Sequence, residues 1–243
     1  QYYFDIHPPL GKLIIAGWAK LNGFNPGNFD FARIGEQASP QFFFTLRFLP
    51  AFFGGLFVLF FSWLAYLASR SRRTALIAGF LILLDNAVLV QSKFILVDIF
   101  LLFFEILTFC FFFLYQRQKN FSLKWITLLI LTAISFGLTI SIKWTGAAAG
   151  GIIAIILLTK IFSEKLANYL SPDIYTSPKR PLTASKKEFI TKQKKGGRRA
   201  RIKETIIAFA IMTAIGFTIY AIPFIVHFSL LPKSGPGDAF MSQ

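Results

Sequence analysis

The chain has 243 residues, of which 55% are hydrophobic, 17% aromatic and only 15% charged, and its mean hydropathy is +0.59. A soluble domain carries roughly 25% charged residues, so a water-soluble globule is excluded and the apolar runs must face lipid. The formal net charge of +15 would suit nucleic acid, but much of it lies in one stretch between Lys160 and Lys203 with little aromatic interleaving. That pattern reads as a cytoplasmic loop that meets anionic lipid rather than as a nucleic-acid site.

In chain order, Gln1-Tyr2-Tyr3-Phe4-Asp5 shows neither an initiator Met nor a signal peptide, so the chain is expected to be an excerpt cut at both ends. Residues 1–41 form an outer-face loop. Within it, residues 10–24 are apolar but too short, and too interrupted by Lys12 and Lys20, to span. With Trp18 as interfacial anchor they predict an in-plane amphipathic helix, entered through His7-Pro8-Pro9 because proline is tolerated in a first helical turn.

Six runs are apolar enough to cross a bilayer: near 42–66, 74–91, 97–115, 124–142, 146–163 and 205–227. Residues 42–163 therefore make a core of five spans, 164–204 a basic loop too poor in apolar residues to fold alone, 205–227 a sixth span, and 228–243 an outer-face tail. With six crossings, the clusters Arg70–Arg73, Arg117–Lys124 and Lys160–Lys203 all fall on one side, as the positive-inside rule requires. The run Gly146-Ala147-Ala148-Ala149-Gly150-Gly151 lets a neighbouring helix approach closely. Cys110 is the single cysteine, so no intrachain disulfide forms.

Ionisable groups near hydrocarbon are costly unless paired or hydrated, and here they gather at the outer span ends. Arg47 lies inside the first span, Asp85 and Asn86 end the second, Gln91, Lys93 and Asp98 surround the next reversal, and Lys143 sits between two apolar runs. Singly these read as interhelical pairs or snorkelling ends; together they form a basic polar pocket suited to a lipid-linked phosphate. Glu105 falls inside the third span and reads as a neutral acid hydrogen-bonded to another helix.

Five motifs in order then resemble the protein O-mannosyltransferases: Phe4-Asp5-Ile6-His7-Pro8-Pro9-Leu10-Gly11-Lys12; Leu46-Arg47-Phe48-Leu49-Pro50; Leu84-Asp85-Asn86 with Gln91-Ser92-Lys93-Phe94-Ile95-Leu96-Val97-Asp98; Ser141-Ile142-Lys143-Trp144-Thr145-Gly146; and His227-Phe228 with Ser234-Gly235-Pro236-Gly237-Asp238. Lys93 and Asn120-Phe121 depart from many members. The resemblance implies an all-α, multi-pass bundle of the GT-C type. It also implies inverting transfer of mannose from a polyprenyl (dolichyl) phosphate to Ser or Thr of acceptor proteins, with no metal or cofactor; the oligomeric state stays open, a dimer being one alternative.

In that family an acidic pair in an outer loop precedes the Phe-Asp-x-His-Pro-Pro motif. The base is thus expected upstream of Gln1, with Asp5 as substitute, and the excerpt alone is expected to be inactive. Arg47 and Lys93, with Lys143 third, are assigned to the donor phosphate because cations stabilise the departing charge. Asp5 and His7 line the acceptor side, Asp85, Asn86 and Gln91 support the pocket, and Asp98 pairs with a basic residue. The expected location is the plasma membrane in a prokaryote and the endoplasmic reticulum membrane in a eukaryote.

Rival readings are a GT-C transferase with a lipid or glycan acceptor, an inactive scaffold subunit, and a transporter, whose inverted repeats are not visible. The one-sided basic clusters predict that labels between Lys186 and Arg201 are reached only from the cytoplasm and labels near Ser234 only from outside. Accessibility of both from one side would remove the six-crossing arrangement.

Overall fold

The computed structural model describes residues 7–24, 39–163, 166 and 184–230, apart from the side chains of 184–198. Among these every regular element is helical: α1 Leu10–Leu21, α2 Pro40–Ser69, α3 Arg72–Leu83, α4 Asn86–Lys93, α5 Asp98–Gln116, α6 Leu123–Ile140, α7 Ala147–Phe162 after a 3-10 turn at Trp144–Gly146, and α8 Ala184–Leu230. Several start where a short polar side chain can take an unsatisfied backbone N–H. Ser39, Ser71, Asp85 and Ser122 accept from Phe42, Thr74, Val88 and Trp125.

Five helices are long and apolar enough to cross a membrane. A sixth crossing is available if α3 and α4 count together, but they are bent by 59°. The expected single span at 74–91 is therefore corrected to a broken one. Asp85 accepts the Val88 N–H at 3.0 Å and restarts the helix in a new direction.

A second difference lies in the basic segment. Helix α8 begins at Ala184 and runs 47 residues, about 70 Å, so the C-terminal half of the expected loop 164–204 is helical. The span within it, Arg199–Leu230, supplies the template: once nucleated, a helix extends through Lys, Arg, Gln and Ala at little cost per residue.

Helices α2, α5 and α7 run one way and α6 and the span of α8 the other, which gives the bundle two ends. At one end α5 starts and α6 finishes, joined by Lys143 and Asp98. At the other, Lys160 of α7 meets Glu204 of α8, and the Arg117 guanidinium donates to the Leu67 carbonyl of α2. The described members of the basic clusters, Arg70, Arg72, Arg73, Arg117, Lys119, Lys124, Lys160, Arg201 and Lys203, fall at this second end. Helix α5 packs against α2 and α6, α6 against α8, and α2 against α3.

The core has two layers. Near the Lys143 end, Phe57, Val88, Ile99, Phe100 and Ile142 are buried together. Toward the other end, Phe112, Tyr115, Trp125, Leu129, Leu157 and Met212 are. In a membrane these side chains lose little by facing lipid, so close fit does the work that water exclusion does elsewhere. The small-residue run shows this: a Cβ on Gly150 would stand 2.6 Å from Phe136, and one on Gly146 2.5 Å from Thr139, both on α6.

The basic end closes on a buried ion pair. Lys160, 3% exposed, donates to both carboxylate oxygens of Glu204 at 2.9 and 3.0 Å and to Gln116 Oε1 at 2.5 Å. Asn120 donates to Glu204 Oε2 at 3.2 Å, and Lys203 lies 5.3 Å above the Phe121 ring. Lys160 thus closes a span rather than opening a solvated loop. Removing one partner strands a buried charge, whereas replacing both by apolar residues does not. Glu204→Gln is expected to cost about 3–5 kcal/mol and Lys160→Met with Glu204→Leu to recover most of it, read as thermal unfolding in detergent. Equal losses in the single and double variants would show that the cost does not come from a stranded charge.

Candidate functional site

The opposite end is organised by α1, which lies against the ends of α2, α5 and α6. A helix start leaves backbone N–H groups unpaired and a helix end leaves carbonyls unpaired. Here one satisfies the other: Leu10 N–H donates to the Ser141 carbonyl beyond α6, at 3.1 Å. Pro8 and Pro9 are buried and His7 is half-buried at this entry. Gly11 is needed for the approach, because a Cβ there would come within 2.8 Å of Val97 and 3.3 Å of Ile142.

Leu10, Ile14 and Ile15 pack on the buried cluster, while Lys12 and Lys20 stay at the surface, which is the amphipathic division expected. Partial burial of Lys12 lowers its pKa from the usual lysine value by desolvation. Trp18 does more than mark an interface. Its indole N–H donates to the Thr45 carbonyl at 2.8 Å, and its ring stacks on Phe48 with centroids 5.5 Å apart. Helix α1 is thereby fixed to α2 on both sides of Leu46 and Arg47.

Each residue of the Ser141–Trp144 turn has a separate task. The Ser141 carbonyl receives α1, Ile142 fills the core at 1% exposure, Lys143 reaches Asp98 at 2.6 Å, and Trp144 stands 5.5 Å from the Tyr220 ring of α8. Asp98 therefore pairs with a basic residue, and that residue is Lys143, which the sequence had placed third on the donor phosphate.

Arg47 and Lys93 behave differently. Both are exposed, and neither has an acid partner among the described residues. The Arg47 guanidinium lies 5.1 Å above the Phe43 ring, a contact that orients it without neutralising it. Lys93 ends α4, one residue from Ser92. Ser92 packs where a Cβ on Gly54 would fall, 2.7 Å from its own Cβ, so α4 is seated on α2 two helical turns beyond Arg47.

Gln91, half-buried on the same short helix, has its Oε1 shielded from solvent with no hydrogen-bond partner among the described residues. Asp85 is committed to capping α4 and Asn86 is its exposed first residue. Asp5 lies outside the described residues. Glu105 is half-buried in mid-span, and the hydrogen bond to another helix expected of it is not made among the described residues. No group of three or more His, Cys, Asp or Glu among them is placed to hold a metal ion.

Sequence reasoning missed Glu204, although a signal was there: it is an acid directly after a long basic run, at the edge of an apolar one. It missed the Gly54–Ser92 contact because nothing local to either residue announces it.

Comparison with known proteins places this arrangement. The family model described as dolichyl-phosphate-mannose-protein mannosyltransferase matches residues 1–232. Protein O-mannosyltransferase 1 of Drosophila melanogaster is 31% identical over 243 residues, all of this chain and 24% of that protein. Dolichyl-phosphate-mannose–protein mannosyltransferase 6 of Saccharomyces cerevisiae is 31% identical over 98% of this chain and 28% of that protein. The chain therefore spans about a quarter of the length of these relatives. The structure of the S. cerevisiae Pmt1-Pmt2 complex bound to the sugar donor superposes with a TM-score of 0.77 at 25% identity, over 98% of this chain and 29% of that one. A family match across 232 residues, with the matching fold, makes this chain a member of the dolichyl-phosphate-mannose-protein mannosyltransferase family.

Proposed function

We propose that the full-length protein transfers mannose from dolichyl or another polyprenyl phosphate mannose to Ser and Thr hydroxyls of proteins, inverting the sugar carbon at the outer or lumenal face. The observation that carries this reading is the family match over residues 1–232, joined to a donor-bound neighbour of the same fold. The Lys143 end, opposite the basic clusters, is then the outer end. The relatives named above are eukaryotic, which favours the endoplasmic reticulum membrane, and the neighbour is a complex of two subunits, which favours a dimer.

The chemistry assigns the residues. A polyprenyl phosphate leaves without protonation if cations meet its growing charge. Arg47 and Lys93 carry cations not cancelled by any described acid, whereas Lys143 is held by Asp98. Arg47 is the bidentate phosphate contact and Lys93 the point charge. The unsatisfied Gln91 Oε1 is suited to accept from a sugar hydroxyl, because a buried acceptor without a donor is costly until the substrate supplies one.

An attacking serine must lose a proton to a carboxylate. Of the described acids, Asp85 caps α4, Asp98 holds Lys143 and Glu204 holds Lys160, and Glu105 lies in mid-span. The described acids thus leave no base, and the family resemblance implies an acid upstream of Gln1, with Asp5 as substitute.

In the full-length protein, Arg47→Ala should lower kcat for mannosyl transfer to a Ser/Thr-rich peptide by about 10²–10³, the usual cost of losing one donor to a developing oxyanion. Arg47→Lys should restore part of it. Wild-type turnover by a folded Arg47→Ala protein in membranes would make Arg47 structural and unseat the donor site.

A further inference from the structure

The segment between α2 and α5 starts at the basic end, at Arg72, and leads into α5 at the Lys143 end, so α3 and α4 together make one crossing. It is a short one. A Cβ on Gly79 of α3 would stand 3.2 Å from that of Ser62, and Ser92 of α4 packs on Gly54, so both helices are registered on α2. From Gly79 to Ser92 a straight helix would climb about 20 Å, whereas α2 climbs only about 12 Å from Ser62 to Gly54. The 59° bend takes up the difference, and α4 lies closer to the membrane plane than to the axis of α3.

Helix α5 gives the depth. Cys110 donates to the Phe60 carbonyl at 3.6 Å, which levels it with α2. Above that level Asp98 stands about 18 Å, Ser92 only about 9 Å and Asn86, at the start of α4, about 6 Å. Helix α5 has 19 residues, about 28 Å, which matches a hydrocarbon core of about 30 Å. With Asp98 at the edge of that core, Asn86 lies about 12 Å inside it.

Asp85 and Asn86 are both exposed there. Polar side chains facing acyl chains are costly, and these two are too short to snorkel to the edge as Lys93 can. The surface around them is formed by Leu81, Leu83, Leu84, Leu89 and Val90, all exposed. Interfaces between membrane helices favour small residues, so these large apolar side chains suit lipid better than another helix.

We propose that the leaflet at the Lys143 end is depressed over α4, so that water and lipid headgroups descend about 10 Å to meet Asp85, Asn86 and Lys93. A bilayer thins around a span shorter than its hydrocarbon core at modest cost per ångström, and here thinning also hydrates polar groups that would otherwise face acyl chains. The charges fit zwitterionic headgroups, the ammonium of one lipid at Asp85 and the phosphate of another at Lys93. Helices α5, α6 and α7 are unbroken, so the depression is confined to the α3–α4 side. The inference does not rest on the sugar-transfer reading.

The test is spin-label EPR on the full-length protein, freed of other exposed cysteines, in phosphatidylcholine nanodiscs; Cys110 is buried. One label is placed at Asn86→Cys. The reference is Ile152→Cys, exposed on α7 about 13 Å below Lys143, which is level with its partner Asp98. Collision with a water-soluble nickel chelate should be at least several-fold more frequent at Asn86→Cys, while dissolved oxygen should favour Ile152→Cys. The same lipid-like profile at both positions would overturn the proposal. So would a label at Asn86→Cys that neither reagent reaches, because another helix would then cover α4. Nickel tethered to lipid headgroups should also relax the Asn86→Cys label, and no relaxation would overturn the headgroup contact. If Asn86→Cys does not insert, Leu84→Cys, exposed on the other side of the break, is expected to give the same result and is read in the same way.

Discussion

A chain that crosses hydrocarbon can keep ionised groups only at the ends of its helices or in pairs between them, and the arrangement of this protein follows from how it solves that constraint twice. At the basic end the solution is closure. Lys160, Glu204, Gln116 and Asn120 draw α5, α7, α8 and the turn before α6 into one buried network. At the other end the solution is partial. One pair, Lys143 and Asp98, locks α5 to the turn after α6, while Arg47 and Lys93 keep their charge.

That asymmetry depends on α1. By giving its first N–H to Ser141 and its tryptophan to Thr45, the short helix ties the end of α6 to the start of α2, which flank the reversal containing Asp98. Without it the end would be four independent helix termini held mainly by apolar contacts that cost little to exchange for lipid. Gly11 and Gly54 are two close approaches in this assembly, since a Cβ at either would overlap a neighbouring side chain. A polar site on rigid elements holds its geometry better than one on loops, and here the cations sit on α2 and α4, two helices in direct contact.

Much of this was legible in the sequence, for physical reasons. Apolar runs of membrane length announce spans whatever their partners are, and the distribution of Lys and Arg orders them, so the alternation of helices from Pro40 to Leu230 could be read directly. The amphipathic α1 was legible from Lys12, Trp18 and Lys20. Long-range polar contacts were not. Asp98 could be seen to need a cation, but the choice of Lys143, 45 positions away, depends on how two helix ends meet. Lys160 and Glu204 looked like members of a charged loop because composition does not register a single pair that escapes solvent. The break at Asp85 was hidden by an apolar run continuous in composition; only the carboxylate's capping of Val88 reveals it.

The pairing of Asp98 with Lys143 has a consequence for charge at the proposed donor site. A cation bound by a carboxylate 2.6 Å away presents little field to a third group, because the pair is nearly neutral beyond its own length. On the proposed reading, an unpaired Lys143 would add a third cation that binds the donor phosphate in the ground state as well as in the transition state, which lowers KM without raising kcat. With Lys143 neutralised, the field comes from a guanidinium oriented by an aromatic face and an ammonium at the end of a short helix, and Coulombic binding of the departing lipid phosphate is correspondingly weaker. On the proposed reading, Asp98 therefore acts on turnover through the charge it cancels rather than through any proton it moves.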